Sequence, residues 1–363
     1  MSGWNPLAPL PAVERWTPLA KVSAAAGVAL LVLLALGPLI LNANLLDKLT
    51  TLFIYVILAL MWNALAGYGG LVSIGQQAFF GLGAYGAIRL ADAGVNVYLS
   101  LVASALLVGL VAQPVSAFML RLKAGEFAIG MWVLAELAHL LVNLDKLVQG
   151  ETGTSLIALT AYQADSRRAT IYWLALAAMA VLSGIVFALL RSRTGAAIQA
   201  IRDDEEAAAA VGVRVLGTKR IIFILAATGT AMAGALWLAT AISFQPKTYF
   251  GVQWTAYMIF MVLVGGLGTF EGPLLGAVIF FTIEAWFGGS GVWYLVGLGG
   301  TALAFSLLLP RGIWGAVERR LSLRLLPVGY HLKVPLGIPE SNMTEGASGQ
   351  APSAVAEIPP VER

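Results

Sequence analysis

Ten apolar runs with almost no charge inside them take up most of the chain between residues 22 and 309. They are Val22–Leu41, Leu49–Ala66, Leu71–Leu90, Val97–Phe118, Glu126–Leu144, Ala169–Leu190, Ile221–Ser243, Gln253–Gly266, Gly272–Phe287 and Val292–Leu309. About 20 apolar residues in helical form cross the hydrocarbon core of a bilayer. None of the runs alternates apolar and polar residues as a barrel strand does, and a lipid-exposed open strand would leave backbone groups unpaired. The expected fold is an all-α integral membrane protein of about ten transmembrane helices. The count falls to eight or nine if a glycine-rich segment is re-entrant. The composition agrees: 59% of the 363 residues are hydrophobic and 11% charged, against roughly 45–50% and about 25% in soluble domains. That balance argues against a soluble enzyme or a disordered chain. No basic patch is interleaved with aromatics, so nucleic acid is not an expected partner, whereas the lipid bilayer is. With no Cys and only His139 and His331, thiol chemistry is excluded and a metal cluster is disfavoured.

The distribution of Lys and Arg predicts an orientation. With the N-terminus in the cytoplasm, 16 of the 22 basic residues fall in cytoplasmic segments and five in external loops, with Arg89 at a helix end. This asymmetry predicts that both termini are cytoplasmic. The organisation follows: a cytoplasmic arm over 1–21, a transmembrane domain over 22–309 with a cytoplasmic loop over 191–220, and a cytoplasmic, largely disordered tail over 310–363. The tail expectation rests on the Pro, Ser, Gly and Ala bias from Pro335 onward.

Two glycine-rich stretches interrupt the apolar pattern. Residues 67–86 hold seven Gly in twenty positions, with Ser73, Gln76 and Phe80 at the spacing of one helical face and Gln77 beside it. The stretch Gly265–Ala277 carries Gly265, Gly266, Gly268, Gly272 and Gly276, with Glu271 and Pro273 predicting a break near position 270. In a membrane such glycines either let helices pack closely or break a helix where it lines a cavity. On the second reading Ser73, Gln76, Gln77, Phe80, Gly83, Gly265, Gly266 and Gly268 become candidates for a translocation pathway. Each stretch lies in or just after the third span of a five-span half, which suggests an inverted repeat of two five-helix halves. Glu136 and His139 stand three apart in one span. They are read either as a buried pair locking helices together or as pathway residues.

The loop Arg191–Arg220 is the densest in charge. Asp203, Asp204, Glu205 and Glu206 lead an Ala run closed by Gly212, which predicts a short helix over about Asp203–Val211. Downstream, the order of Thr218 and Lys219 is the reverse of a phosphate-binding loop, and an Ala-rich helix rather than a strand precedes it. ATP binding by this chain is therefore not expected.

At this loop the sequence resembles the membrane subunits of ABC importers. Glu206, Ala207 and Ala208, then Gly212 four positions on, match the E-A-A-x-x-x-G signature. Ala200–Val213, Gly67–Tyr85, Arg121–Leu137 and Val264–Ala277 together resemble the LivM-type branched-chain amino acid permease family. The sequence departs from that family at His139, where Arg is commoner, and at Glu151–Leu156. The resemblance implies a permease subunit that moves branched-chain amino acids across a bacterial-type inner membrane and has no cofactor of its own. It implies a second related permease subunit, two cytoplasmic ATPase subunits holding ATP and Mg, and an extracytoplasmic solute-binding protein. It also implies that Asp203, Asp204, Glu205, Glu206, Ala207, Ala208 and Gly212 form the helix that couples to the ATPase. Permeases for urea, short amides or other amino acids, and a gradient-driven secondary transporter, stay open as alternatives.

Overall fold

The computed structural model describes residues 12–14, 18–309, 311–321, 325–326 and 331–333. Most of the tail expected to be disordered, including everything after residue 333, lies outside them, as does most of the N-terminal arm. A small unit is formed by β1 (Ala12–Glu14) and the later strand His331–Lys333, paired antiparallel. Residues 18–328 form the second unit, which is helical.

Its elements follow the apolar runs. The first are α1 (Pro18–Ala35), α2 (Gly37–Ile40) and α3 (Ala43–Asn63), which ends in a π-turn over Ala64–Tyr68. Next come α4 (Gln77–Asp92), α5 (Val97–Met119) and α6 (Ala124–Asn143). A loop with two 3₁₀ turns and β2 (Thr154–Ser155) leads to α7 (Ala164–Arg191), then the short α8 (Arg193–Asp203) and α9 (Glu205–Ala210). The chain continues through α10 (Val215–Ala241), β3 (Ser243–Phe244), α11 (Pro246–Tyr249), α12 (Gln253–Gly265), α13 (Gly272–Phe287), α14 (Val292–Leu308) and α15 (Gly312–Leu321). The strand at His331–Lys333 is β4.

Among the described residues, eight helical stretches are long and apolar enough to cross a membrane, and α13 is a shorter apolar helix. The protein is a multi-pass, all-helical membrane protein. One expected span is corrected. Leu71–Leu90 is not a continuous helix: residues 70–76 are non-helical and α4 starts only at Gln77. Within the stretch 310–363, α15 is helical.

Helices α3 and α10 form the buried centre. Helix α10 packs on α3, α4 and α5, while α3 packs on α7, α12 and α13. Helices α4 and α5 pack together in one half, as α12 and α13 do in the other. Each half thus hands a central helix to the other. At the α4–α10 crossing, a Cβ on Gly83 would strike the Ala231 carbonyl and one on Gly234 the Phe80 carbonyl, so only glycine allows this approach. The end of the bundle that carries residues 191–220 is called the basic end below. At the opposite end β2 pairs with β3, joining the α6–α7 loop to the α10–α12 connection.

Candidate functional site

At the basic end the loop folds into two short helices rather than the single one expected. Ser192 caps α8 by accepting from the Gly195 N–H at 3.2 Å. The chain then turns extended at Asp204, whose carboxylate accepts from the N–H groups of Glu206 and Ala207, each at 3.0 Å. An Asp in this position both satisfies orphan donors and suits the positive end of the helix, and this splits Asp203 from Glu205. Gly212, with φ at +88°, ends α9, and the Val213 N–H turns back to the Ala208 carbonyl at 3.1 Å. Glu205 bonds Lys219 of α10 at 2.6 Å, tying α9 down. Ala208 is buried beneath, while Glu206, Ala207 and Val211 face outward. A cleft of about 590 Å³ separates these helices from the turn at Gly69–Leu71 and from Lys123.

Arg202, the penultimate residue of α8, joins this loop to both glycine-rich breaks. Its Nη1 donates to the Gly67 carbonyl at 2.9 Å, and its Nε and Nη2 hold Asp203 at 2.9 and 2.8 Å. Its stem lies against Gly70, and Gly268 stands beside its guanidinium. The Gly67 carbonyl belongs to the π-turn that closes α3. Asn63, fully buried one turn earlier, donates to the Thr269 carbonyl at 2.8 Å and accepts from the Gly268 N–H at 2.8 Å. The two breaks therefore meet at one point although they are far apart in sequence. The second runs from Gly266, with φ at +144°, to Glu271, as expected near position 270. Gly265, Gly272 and Gly276 serve the α12–α13 contact, where a Cβ on any of them would meet facing backbone. Burial pushes the Glu271 carboxyl above its usual range, although the Leu326 N–H donates to it at 2.8 Å.

From Gly70 the non-helical segment climbs into the bundle. Gly75 lies against the backbone of Met131, seven residues into α6 and so about 10 Å from its start. Ser73 is not helical, which corrects its placing on one face with Gln76 and Phe80. It is buried, its carbonyl accepts from Trp62 Nε1 at 3.0 Å, and its hydroxyl accepts from the Gly75 N–H at 3.3 Å. Gln76 is fully buried and neither atom of its amide has a partner among the described residues. Gln77 is buried too, and its amide oxygen accepts from the Thr255 hydroxyl of α12. Phe80 stacks between Tyr249 and Trp254. Gly83 sits at the α4–α10 crossing described above, so its role there is packing.

At the opposite end Glu136 and His139 prove not to be a buried pair. The Glu136 side chain is 60% exposed, and His139 Nδ1 lies 3.3 Å from it. His139 Nε2 lies 2.8 Å from Glu151, and the ring stacks on Phe250. Glu151 also accepts from Asn143 Nδ2 at 2.5 Å and from the Lys247 N–H at 3.1 Å. Burial opposes its charge, but these donors and the nearby His139 outweigh it and hold the carboxyl below its usual range. The cluster fastens α6 to the α10–α12 connection.

The family model described as branched-chain amino acid transport system, permease component, matches residues 44–310. The chain belongs to this permease family. The permease is 25% identical, over 342 residues, to the high-affinity branched-chain amino acid transport system permease protein LivM of Escherichia coli K12. That alignment covers 87% of this chain and 80% of the relative. The L-arabinose transport system permease protein AraH of Escherichia coli is 34% identical over 118 residues, which is 31% of this chain and 34% of that protein. Among solved structures, an inward-facing metal-chelate type ABC transporter gives a TM-score of 0.44 at 18% identity, covering 73% of this chain and 89% of that one. The permease is a membrane-transport subunit of an ABC transporter, with ATP hydrolysis in separate chains.

Two residues of the permease's site were missed in the sequence. Asn63 carried a visible signal, a lone amide inside an apolar run. Arg202 carried none: it sits in a charged string and its partner Gly67 is 135 residues away.

Proposed function

We propose that this permease moves branched-chain amino acids inward across a bacterial inner membrane, paired with a second related permease, two ATPase subunits and an extracytoplasmic binding protein. Helix α9, with Asp204 at its head and Gly212 at its foot, docks on an ATPase subunit. Arg202 carries the movement of that loop to the breaks at Gly67 and Gly268, and the solute passes beside the non-helical segment at Ser73 and Gln76.

One observation carries this reading. A single arginine in the loop bonds a carbonyl freed by a π-turn in the most buried helix and stands beside the break between α12 and α13. A π-turn or broken helix at membrane depth commonly marks a functional site. The unpaired amide of Gln76 adds to it, since a buried polar group without a partner costs about 1–3 kcal/mol and persists where it has a use. Branched-chain specificity is supported by the LivM relatives.

The test is uptake into proteoliposomes containing the reconstituted complex. Leucine, isoleucine and valine accumulate in an ATP-dependent manner, and each competes with the others. ATP-dependent uptake of urea or acetamide, unaffected by excess leucine, would replace the branched-chain assignment with the amide one. Accumulation driven by an ion gradient without ATP would overturn the ATP-driven reading itself.

A further inference from the structure

An apolar groove of about 660 Å³ runs along the outside of the bundle between α5, α7 and α10. On α7 its lining extends from Leu174 to Leu189, and on α10 from Ile221 to Met232. Its one hydroxyl, on Thr228, is already used, donating to the Ile224 carbonyl at 2.8 Å. Val181, Ile185 and Ile221 along its edges are exposed, so the groove opens sideways into the membrane. Water does not fill such a space, because nothing in its lining offers a hydrogen bond. The occupant is therefore apolar.

Its dimensions suit a lipid tail better than a whole helix. Fifteen residues of α7 rise about 22 Å, so the groove averages about 30 Å² in cross-section. A helix with side chains is about 10 Å across, or about 80 Å². One hydrocarbon chain fits along it, whereas a helix of a neighbouring subunit would seat only part of its width in a groove open on one side. One leaflet of hydrocarbon is about 15 Å deep, so a chain entering from one surface fills most of the groove.

The groove's end at Leu189 and Ile221 is basic. Leu189 is two residues from Arg191 and four from Arg193, and Ile221 directly follows Arg220. Arg193 and Arg220 are exposed and form no ion pair with the described residues. Basic residues at the mouth of an inter-helix groove hold anionic headgroups.

We infer that this groove is a binding site for an anionic phospholipid, with an acyl chain against α7 and α10 and the phosphate at Arg193 and Arg220. The site is independent of the transported solute and of how the loop couples.

The test is native mass spectrometry of the full chain in neutral detergent. It is supplied with phosphatidylglycerol or with phosphatidylcholine bearing the same tails. One tightly held phosphatidylglycerol is expected. Each arginine near the headgroup contributes about a fivefold preference, so the wild type favours phosphatidylglycerol about 25-fold. The double change Arg193→Gln and Arg220→Gln removes that preference without removing the bound lipid. Ala178→Trp, which fills the groove, removes both. Equal retention of the two lipids by the wild type overturns the proposal and needs no variant to fold. Unchanged retention in Ala178→Trp overturns it too. If that variant holds lipid and, in the assembled complex, loses its partner permease, the groove belongs to a subunit contact and the proposal is overturned.

Discussion

Replacing Arg202 by alanine is expected to stop ATP-driven uptake while leaving the complex assembled and still hydrolysing ATP. The side chain makes two kinds of bond, one to a carbonyl of the broken α3 and one to its neighbour Asp203. Losing it removes the loop's bond to the Gly67 carbonyl while the Glu205–Lys219 pair still holds α9 in place, so docking survives and transmission does not. Coupling free energies of about 1–3 kcal/mol correspond to about 5–150-fold, and the upper part of that range is expected in uptake per ATP hydrolysed. Arg202→Lys keeps the charge but not the fork that reaches Gly67 and Asp203 together, so it recovers only part of the loss. A purely structural arginine would give a different pattern: less complex recovered, with uptake per hydrolysed ATP unchanged. The ratio of uptake to hydrolysis in proteoliposomes, measured against the recovered complex, distinguishes the two.

Gln76→Leu is expected to make the protein more stable and much less active. The wild-type amide is buried with neither atom paired, which costs about 1–3 kcal/mol relative to an apolar side chain of similar size. Leucine removes that cost, so the melting temperature of the purified chain rises. If the amide instead serves a passing solute or the water around it, uptake falls at least about tenfold, the equivalent of roughly 1.4 kcal/mol. A rise in stability with unchanged uptake would take Gln76 out of the pathway. A fall in stability would mean that the amide has a partner, such as an ordered water, that leucine loses.

Much of the fold was legible because membrane spans are written locally. The boundaries expected for Gln253–Gly266 and Gly272–Phe287 fall within one residue of α12 and α13, since glycine and proline mark the break between them. The run Leu71–Leu90 misled for the same reason in reverse. Its apolar content is that of a span, but its first residues are held out of a helix by contacts from elsewhere. Gly70, with φ at +68°, lies against Arg202, and Gly75 lies against Met131. Gly83 was placed in the right helix, but its close approach to the Ala231 carbonyl of α10 could not be read from its own span. In the loop the acidic run was found, but whether Asp204 continues a helix or caps a new one depends on backbone that the residue itself helps to fix. Glu136 and His139 pointed to each other, and nothing in their span announced Glu151 as the third member.

The central claim is that α9 meets an ATPase subunit and that Arg202 passes the motion inward. Val211, at the end of α9, is 81% exposed, an apolar side chain with no cover. The chain has no native cysteine, so Val211→Cys carries the only thiol this subunit offers. Cross-linking from that position with a short thiol-to-amine reagent in the assembled complex is the most direct measurement. The account predicts one adduct with the mass of this chain plus one ATPase subunit, whose yield changes when ATP is bound. It also predicts that the nucleotide dependence at the far side of Arg202, read by thiol labelling of a Gly268→Cys variant, disappears in Arg202→Ala. No ATPase adduct in any nucleotide state would contradict it.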